Sequence, residues 1–166
     1  MKIVVTGPEC SGKSTLAEAL AQHFGVPFMQ EPARAYLTPG AGYQPSDLLR
    51  LRQQQLELET SAHHRPLILD TDLQTLCIWW QEKFGPLPEV LRDAYARQSM
   101  ADGRVYLLCR PDLPWVHDPL RENPHDRDRL FALYRQDLVA RELPFAQIDG
   151  IGPQRLERAL AFLKAR

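Results

Sequence analysis

Short runs of apolar residues alternate along the chain with longer segments in which apolar residues recur every three or four positions. A short apolar run bounded by turn residues predicts a buried β-strand, and the longer spacing predicts an amphipathic helix. Five such runs occur, at residues 3–6, 26–30, 67–69, 105–109 and 145–148. The sequence therefore predicts a sheet of five strands.

The segments between these runs predict helices. The first covers residues 12–24, with Leu16, Leu20 and Phe24 on one face. Ser46 is expected to cap a second helix that ends near residue 61. Further helices are predicted at residues 73–84, within 89–100, at 126–142 and from residue 153 onward. Strands that alternate with helices indicate a parallel sheet covered on both faces, so we expect a three-layer α/β sandwich, one domain covering residues 1–166.

Composition narrows the classes of partner. The chain has 166 residues and a net charge of -1, so no excess of positive charge favours nucleic acid or a membrane surface. No apolar run approaches the length that spans a membrane or acts as a signal peptide. Three cysteines without CxxC spacing indicate a reducing compartment rather than a disulfide framework or a zinc site. We expect a cytoplasmic protein, and the sequence leaves homo-oligomerisation open.

Residues 7–14 carry the strongest motif in the chain. They read Gly-Pro-Glu-Cys-Ser-Gly-Lys-Ser, which matches the phosphate-loop pattern G-x-x-x-x-G-K-[ST] between a strand and a helix. The glycines permit a turn that points main-chain N–H groups at an anion, and the helix adds its positive N-terminal end. Lys13 is predicted to reach the β- and γ-phosphates of ATP, and Ser14 to bind Mg²⁺. The residues predicted to contact the nucleotide are Gly7, Glu9, Cys10, Ser11, Gly12, Lys13, Ser14 and Thr15.

Acidic residues follow two of the predicted strands. Ligands of open α/β sheets bind beyond the carboxyl ends of the strands, where the phosphate loop also lies. Asp70 ends an apolar run and is predicted to hold Mg²⁺ or its water. Glu31 or Asp72 is placed to accept a proton from an attacking hydroxyl or to bind sugar hydroxyls. Arg34 either bridges a carboxylate and a phosphate or is an ordinary surface arginine.

Residues 111–129 form a proline-rich stretch with three arginines. A mobile segment that carries arginines supplies cations to the transferring phosphoryl group and excludes water, so this stretch is predicted to be a lid. Arg121 and Arg127 are the better candidates for catalysis, and Asp118 is expected to hold an arginine or to act at the metal. Arg155, after the fifth strand, is predicted to flank the nucleotide base.

Aromatic residues surround the acidic segments. A flat, positively charged heterocycle would stack well on such rings, but core packing is the favoured explanation for any one of them. The adjacent residues Trp79 and Trp80 point in different directions on a helix, so at most one of them is expected to face the site. The full set of flanking aromatics is Tyr36, Tyr43, Trp79, Trp80 and Phe84.

Several stretches resemble the ribosylnicotinamide kinase domain of the NadR-type proteins of NAD biosynthesis. They are residues 7–16, 31–37, 69–72, 109–115 and 118–122, in the family's order. The most specific are Asp-Thr-Asp at 70–72 and Pro-Asp-Leu-Pro-Trp at 111–115. The resemblance implies a P-loop kinase that transfers the γ-phosphate of ATP to the 5′-hydroxyl of nicotinamide riboside. It also implies that the aromatic residues bind the flat, cationic nicotinamide ring. The predicted substrate contacts are Glu31, Arg34, Tyr36, Asp72 and Trp79.

Two other activities stay open from the sequence. One is phosphorylation of another nucleoside, and the other is an ATPase or nucleotide-dependent switch that acts on a protein partner. A GTPase is disfavoured, since the guanine motif Asn-Lys-x-Asp is impossible where the only asparagine, Asn123, precedes Pro124.

Overall fold

The computed structural model describes residues 1–38, 40–98, 102–116 and 125–166. Within these ranges, five parallel strands form one sheet in the order β2-β3-β1-β4-β5. The strands are β1 (Lys2–Thr6), β2 (Phe28–Met29), β3 (Leu67–Asp70), β4 (Arg104–Cys109) and β5 (Phe145–Ile148). The central strand β1 pairs with β3 on one side and β4 on the other, so the loop that follows β1 lies in the middle of the sheet edge.

Seven helices occur within the described ranges. They are α1 (Lys13–Phe24), α2 (Pro32–Tyr36), α3 (Pro45–Ser61), α4 (Leu73–Phe84), α5 (Glu89–Arg97), α6 (Arg127–Ala140) and α7 (Pro153–Lys164). Helices α1 and α7 pack on one face of the sheet, against Ile3 and Val5. Helices α4 and α6 pack on the other face, against Val4. Successive side chains of β1 therefore pack into two hydrophobic cores, one on each face of the sheet. The predicted parallel sheet with helices on both faces is confirmed.

A third buried cluster joins α2, α3, α4 and α5 above the sheet. Leu48 and Leu51 of α3 and Leu73 of α4 are fully or almost fully buried in it. Burying large aliphatic side chains contributes about 1.5–3 kcal/mol each. This packing fixes the position of α2 and α4, which carry candidate functional residues.

Some predicted boundaries differ from the structure. The second strand has two residues rather than five because Val26 N donates to Ala21 O in the turn that ends α1. Ser46 does not cap α3. The cap is Gln44, whose main-chain N–H donates to the carboxylate of Asp47 at 2.8 Å in a reciprocal capping box. Helix α2 was not predicted, since five residues are too few to show a periodic pattern.

In the described ranges, no helix has both the length and the apolar character needed to cross a membrane.

Candidate functional site

The loop between β1 and α1 has the geometry of a phosphate-binding turn. Gly7 has φ of 135°, and a Cβ there would lie 2.6 Å from the carbonyl oxygen of Cys109. Gly12 has φ of 76°, and a Cβ there would lie 2.9 Å from the Leu113 side chain. Both positions therefore require glycine. The Ser11 hydroxyl donates to the Pro8 carbonyl at 2.7 Å and closes the turn.

The motif residues at the start of α1 differ in exposure. Lys13 lies on the wall of a cavity, and its ammonium group donates to the Pro8 carbonyl oxygen at 2.8 Å. Ser14 is half-buried in the first turn of α1, whereas Thr15 is exposed. The Cys10 sulfur lies 3.4 Å from both the N and the O of Val116, so it joins the loop to the segment that follows β4.

Two predicted acids come together beside Lys13. Asp70 pairs with Val5 in the sheet register and is 3% exposed, and Glu31 immediately precedes α2. Burial raises the pKa of Glu31 above its ordinary value of 4.5; the charge of Lys13 lowers it and the carboxylate of Asp70 raises it again. The three side chains are therefore close enough to interact. Glu31 holds a proton more tightly than a free glutamate does.

Ser14 and Asp70 fit the demands of Mg²⁺. The Asp70 Oδ1 atom is buried and has no hydrogen-bond partner among the described residues, which leaves a carboxylate oxygen available to a cation or its water. In the same ranges, no group of three or more histidine, cysteine or acidic side chains could hold a metal. Mg²⁺ commonly takes one or two protein oxygens and obtains its other ligands from phosphates and water. The donor set is consistent with that mode of binding.

Asp72, a predicted substrate contact, lies in a buried network instead. It accepts from Arg104 at 2.8 Å and from the Tyr106 hydroxyl at 2.7 Å through Oδ2, and from Gln74 N at 3.0 Å through Oδ1. The side chains of Asp72 and Arg104 have no exposed surface. Thr71, with φ of 71°, breaks the extended backbone between Asp70 and Asp72. The structure thus places Asp72 in the interior and not on the cavity wall.

A cavity of about 550 Å³ extends from the phosphate loop across the face of α4. Lys13 and Glu31 line one end, and Tyr43 and Trp79 line it further along. The two rings stack with centroids 5.6 Å apart at 26°. Trp80 is buried and donates to the Pro86 carbonyl at 3.0 Å, so it belongs to the core. As expected from their adjacency on a helix, one tryptophan faces the cavity.

Two other predicted substrate contacts have different positions. Arg34 is exposed, lines the same cavity and lies 3.8 Å from Glu31. Tyr36 lines a separate groove between α2 and α3, where its hydroxyl donates to Asp47 at 3.0 Å. The structure brings Arg34 to the cavity and directs Tyr36 away from it.

The predicted arginines are divided between described and undescribed segments. Arg121, together with Asp118, lies outside the described residues. Arg127 begins α6 and donates to the carbonyl oxygens of Leu113 at 2.9 Å and Cys10 at 3.3 Å. It therefore lies at the phosphate loop, and its action on a phosphoryl group stays a prediction.

Arg155 is buried behind the phosphate loop. Its guanidinium donates to the carbonyl oxygens of Ser11, of Gly150 at 2.7 Å and of Arg110 at 3.1 Å, and it pairs with Asp112. These bonds hold the Arg155 side chain against the phosphate loop, where it has a structural role. A contact with the nucleotide base stays a prediction.

Sequence reasoning did not identify Thr75, Tyr134 and Lys83 as cavity residues. A signal existed for Thr75, which lies four residues before Trp79 and therefore on the same face of α4. The same spacing existed for Lys83, which lies four residues after Trp79 on α4. Tyr134 reaches the cavity through tertiary packing that local spacing does not reveal.

Comparisons with known proteins agree with this geometry. The YorR protein from Bacillus subtilis, solved with phosphorylated GDP, is 17% identical over 99% of this chain and 96% of its own, with a TM-score of 0.62. Deoxyadenosine kinase from M. mycoides, solved with dCMP and dCDP, is 13% identical, covers 99% of both chains and has a TM-score of 0.66. The NadR protein in complex with NR is 19% identical with a TM-score of 0.73, and the likeness covers 99% of this chain but 50% of that one.

At these identities the likeness establishes the fold, which is that of P-loop kinases, and the chain spans about half the length of the NadR protein. No curated protein matches the sequence. A family model for the AAA domain matches residues 2–155. The chain therefore belongs to the AAA domain family.

Proposed function

We propose that the protein transfers the γ-phosphate of ATP to the 5′-hydroxyl of a nucleoside, with nicotinamide riboside as the first acceptor. One observation carries the proposal: Glu31, whose pKa is raised, lines the same cavity as Lys13, Tyr43 and Trp79, and it interacts with the charge of the buried Asp70. A phosphate-binding end, a base and an aromatic surface within one cavity are the parts that a nucleoside kinase requires.

Glu31 acts as the proton acceptor. Its carboxylate takes the proton of the 5′-hydroxyl as that oxygen forms a bond to the γ-phosphorus. The bond from phosphorus to the bridging oxygen breaks, and ADP leaves with the electron pair. A raised pKa suits this role, because a general base is most effective when its pKa lies near the working pH.

Lys13 and the phosphate loop bind the phosphates of ATP. The ammonium group of Lys13, which rests on the Pro8 carbonyl, is positioned to move to a phosphate oxygen. Ser14 and Asp70 would hold Mg²⁺, which neutralises phosphate charge when bound. Arg127 contacts the same loop and supplies a further cation at this end of the cavity.

The aromatic residues support the choice of acceptor. A pyridinium ring is flat and cationic, and aromatic faces attract such groups. The volume of about 550 Å³ is in the range of small-molecule sites. The NadR protein with the same fold was solved in complex with NR, which is consistent with nicotinamide riboside as the acceptor here.

A panel assay tests this function. The protein is incubated with ATP, Mg²⁺ and single nucleosides, nicotinamide riboside included, and phosphorylated products are identified by mass spectrometry. Glu31→Gln should lower turnover by about 10²–10⁴-fold. The matched control is Glu18→Gln at an exposed position of α1, which should leave turnover unchanged.

Absence of a phosphorylated nucleoside across the panel would refute the proposal. ATP hydrolysis that depends on a protein partner and not on a nucleoside would favour an ATPase or switch instead.

A further inference from the structure

One face of α4 forms a wall of the cavity. Thr75, Ile78, Trp79 and Glu82 lie on this wall with the spacing of a single helical face. Thr75 is in the first turn, close to the sheet edge, and Trp79 follows four residues later, about 6 Å along the axis. The wall therefore runs from the acidic end of the cavity towards the aromatic rings.

Tyr134 meets Thr75 on this wall. The Tyr134 hydroxyl of α6 donates to the Thr75 Oγ1 atom of α4 at 3.4 Å. Each residue is 2% exposed, and both line the cavity. Burial raises the pKa of Tyr134, the hydrogen bond with Thr75 opposes this, and the nearby charge of Glu31 raises it further. The phenol thus keeps its proton at neutral pH, and the pair presents two neutral hydroxyl groups.

We propose that Thr75 and Tyr134 bind the sugar of the acceptor and select a ribonucleoside over its 2′-deoxy counterpart. This inference rests on the proposed function, in which the 5′-hydroxyl faces Glu31 and the base lies near Trp79. The sugar joins those two groups, so it crosses the part of the wall that the hydroxyl pair forms.

The chemistry of the pair suits a vicinal diol. Each protein hydroxyl can donate one hydrogen bond and accept others, as can each hydroxyl of a ribose. Both protein groups are almost fully buried, so with a 2′-deoxy sugar in the cavity the pair would keep only its mutual hydrogen bond, and its remaining donor and acceptor capacity would go unused. One missing hydrogen bond of this kind corresponds to about 5- to 10-fold in affinity.

Isothermal titration calorimetry with matched sugars tests the inference. The full chain, with AMP-PNP and Mg²⁺, is titrated with nicotinamide riboside, adenosine and the 2′-deoxy form of each. We expect wild-type protein to bind each riboside about 5- to 10-fold more tightly than its deoxy form. Thr75→Val and Tyr134→Phe should each reduce that ratio towards one and leave the dissociation constant of the deoxy form nearly unchanged.

Two substitutions serve as controls. Thr60→Val changes an exposed threonine of α3. Tyr95→Phe removes a buried hydroxyl that donates to Asp137, so it reproduces the loss of a buried hydrogen bond outside the cavity wall. Neither substitution should change the ratio of the two dissociation constants.

Equal affinity for both sugars in the wild type would overturn the inference, as would a ratio that survives both cavity substitutions. If the proposed function alone is wrong, the ribosides bind with the expected ratio and no phosphorylated product forms with ATP. If no nucleoside binds, both are overturned.

Discussion

The guanidinium of Arg155 donates a hydrogen bond to the carbonyl oxygen of Ser11, which lies 144 residues earlier in the chain. The same group binds the Gly150 carbonyl and pairs with Asp112, so one buried side chain joins the phosphate loop to the start of α7 and to the segment after β4. A phosphate loop binds through its main-chain N–H groups, and any residue that fixes its carbonyls also fixes those donors.

Replacement of Arg155 should therefore weaken ATP binding. Arg155→Met removes charge-assisted hydrogen bonds worth about 1.5–3 kcal/mol each, so we expect KM for ATP to rise by at least about tenfold. Arg158→Met is the matched control, because Arg158 is an exposed arginine of the same helix. Steady-state kinetics at a temperature where both variants are folded would measure the effect. Equal KM values for the two variants would show that Arg155 does not position the loop.

Glu31→Gln should make the protein more stable at neutral pH while lowering turnover by about 10²–10⁴-fold. The pKa of Glu31 is raised in the folded state, so the folded protein binds a proton at this residue more tightly than the unfolded chain does. The stability linked to this group is fully present below the ordinary pKa of 4.5 and is lost as pH rises through the folded value. Glutamine carries no such dependence.

Thermal unfolding of the two proteins between about pH 5 and about pH 8 checks the sign of this linkage. The melting temperature of Glu31→Gln should exceed that of the wild type by a margin that widens as pH rises until the folded-state pKa of Glu31 is passed. A constant margin, or one that narrows, would contradict a raised pKa at Glu31.

Asp72→Asn should destabilise the fold and leave acceptor binding intact. Breaking a buried ion pair costs about 3–5 kcal/mol, and we expect the lower end because Glu59 still pairs with Arg104 at 2.7 Å. Urea unfolding would measure this loss, with Asp93→Asn at an exposed position of α5 as the control. A rise in KM for the acceptor without loss of stability would contradict this prediction and indicate that Asp72 contacts the substrate.

Lys83→Met should favour cationic acceptors. The Lys83 ammonium lies 3.9 Å from the centre of the Tyr43 ring, on the cavity wall, where a cationic ring would compete with it. An exposed cation–π contact is worth about 0.5–1 kcal/mol, so KM for nicotinamide riboside should fall about 2- to 5-fold. Adenosine, which is neutral, should be unaffected in the same assay, and so should Lys164→Met with either acceptor. A similar change for both acceptors would exclude an effect of charge.

The sequence was sufficient for most of the fold. Strands with β-branched apolar runs, such as Ile3–Val5, and helices with four-residue spacing follow from local patterns. The two-residue length of β2 and helix α2 did not. The main-chain bond that ends α1 shortens β2, and α2 is too short to show a periodic pattern.

The positions of Asp70, which ends β3, and Asp72, which follows it, could not both be predicted from the local sequence. In a regular strand Asp70 and Asp72 would face the same side. The left-handed backbone of Thr71 separates them, and Arg104, which lies 32 residues further along the chain, holds Asp72 in the interior. The Lys13, Glu31 and Asp70 group was predictable because all three lie at or beyond the carboxyl ends of strands at one edge of the sheet. Tyr134 was not, since α6 reaches the cavity only in the folded chain.

The most direct test of the central claim is ADP formation from ATP with and without nicotinamide riboside, followed by identification of the product. The proposed function predicts that ADP forms only when nicotinamide riboside is present and in equal amount with nicotinamide mononucleotide, the 5′-phosphorylated product. Glu31→Gln should lower the rate at which both products form by about 10²–10⁴-fold. ADP formation that is the same with and without any nucleoside would contradict it.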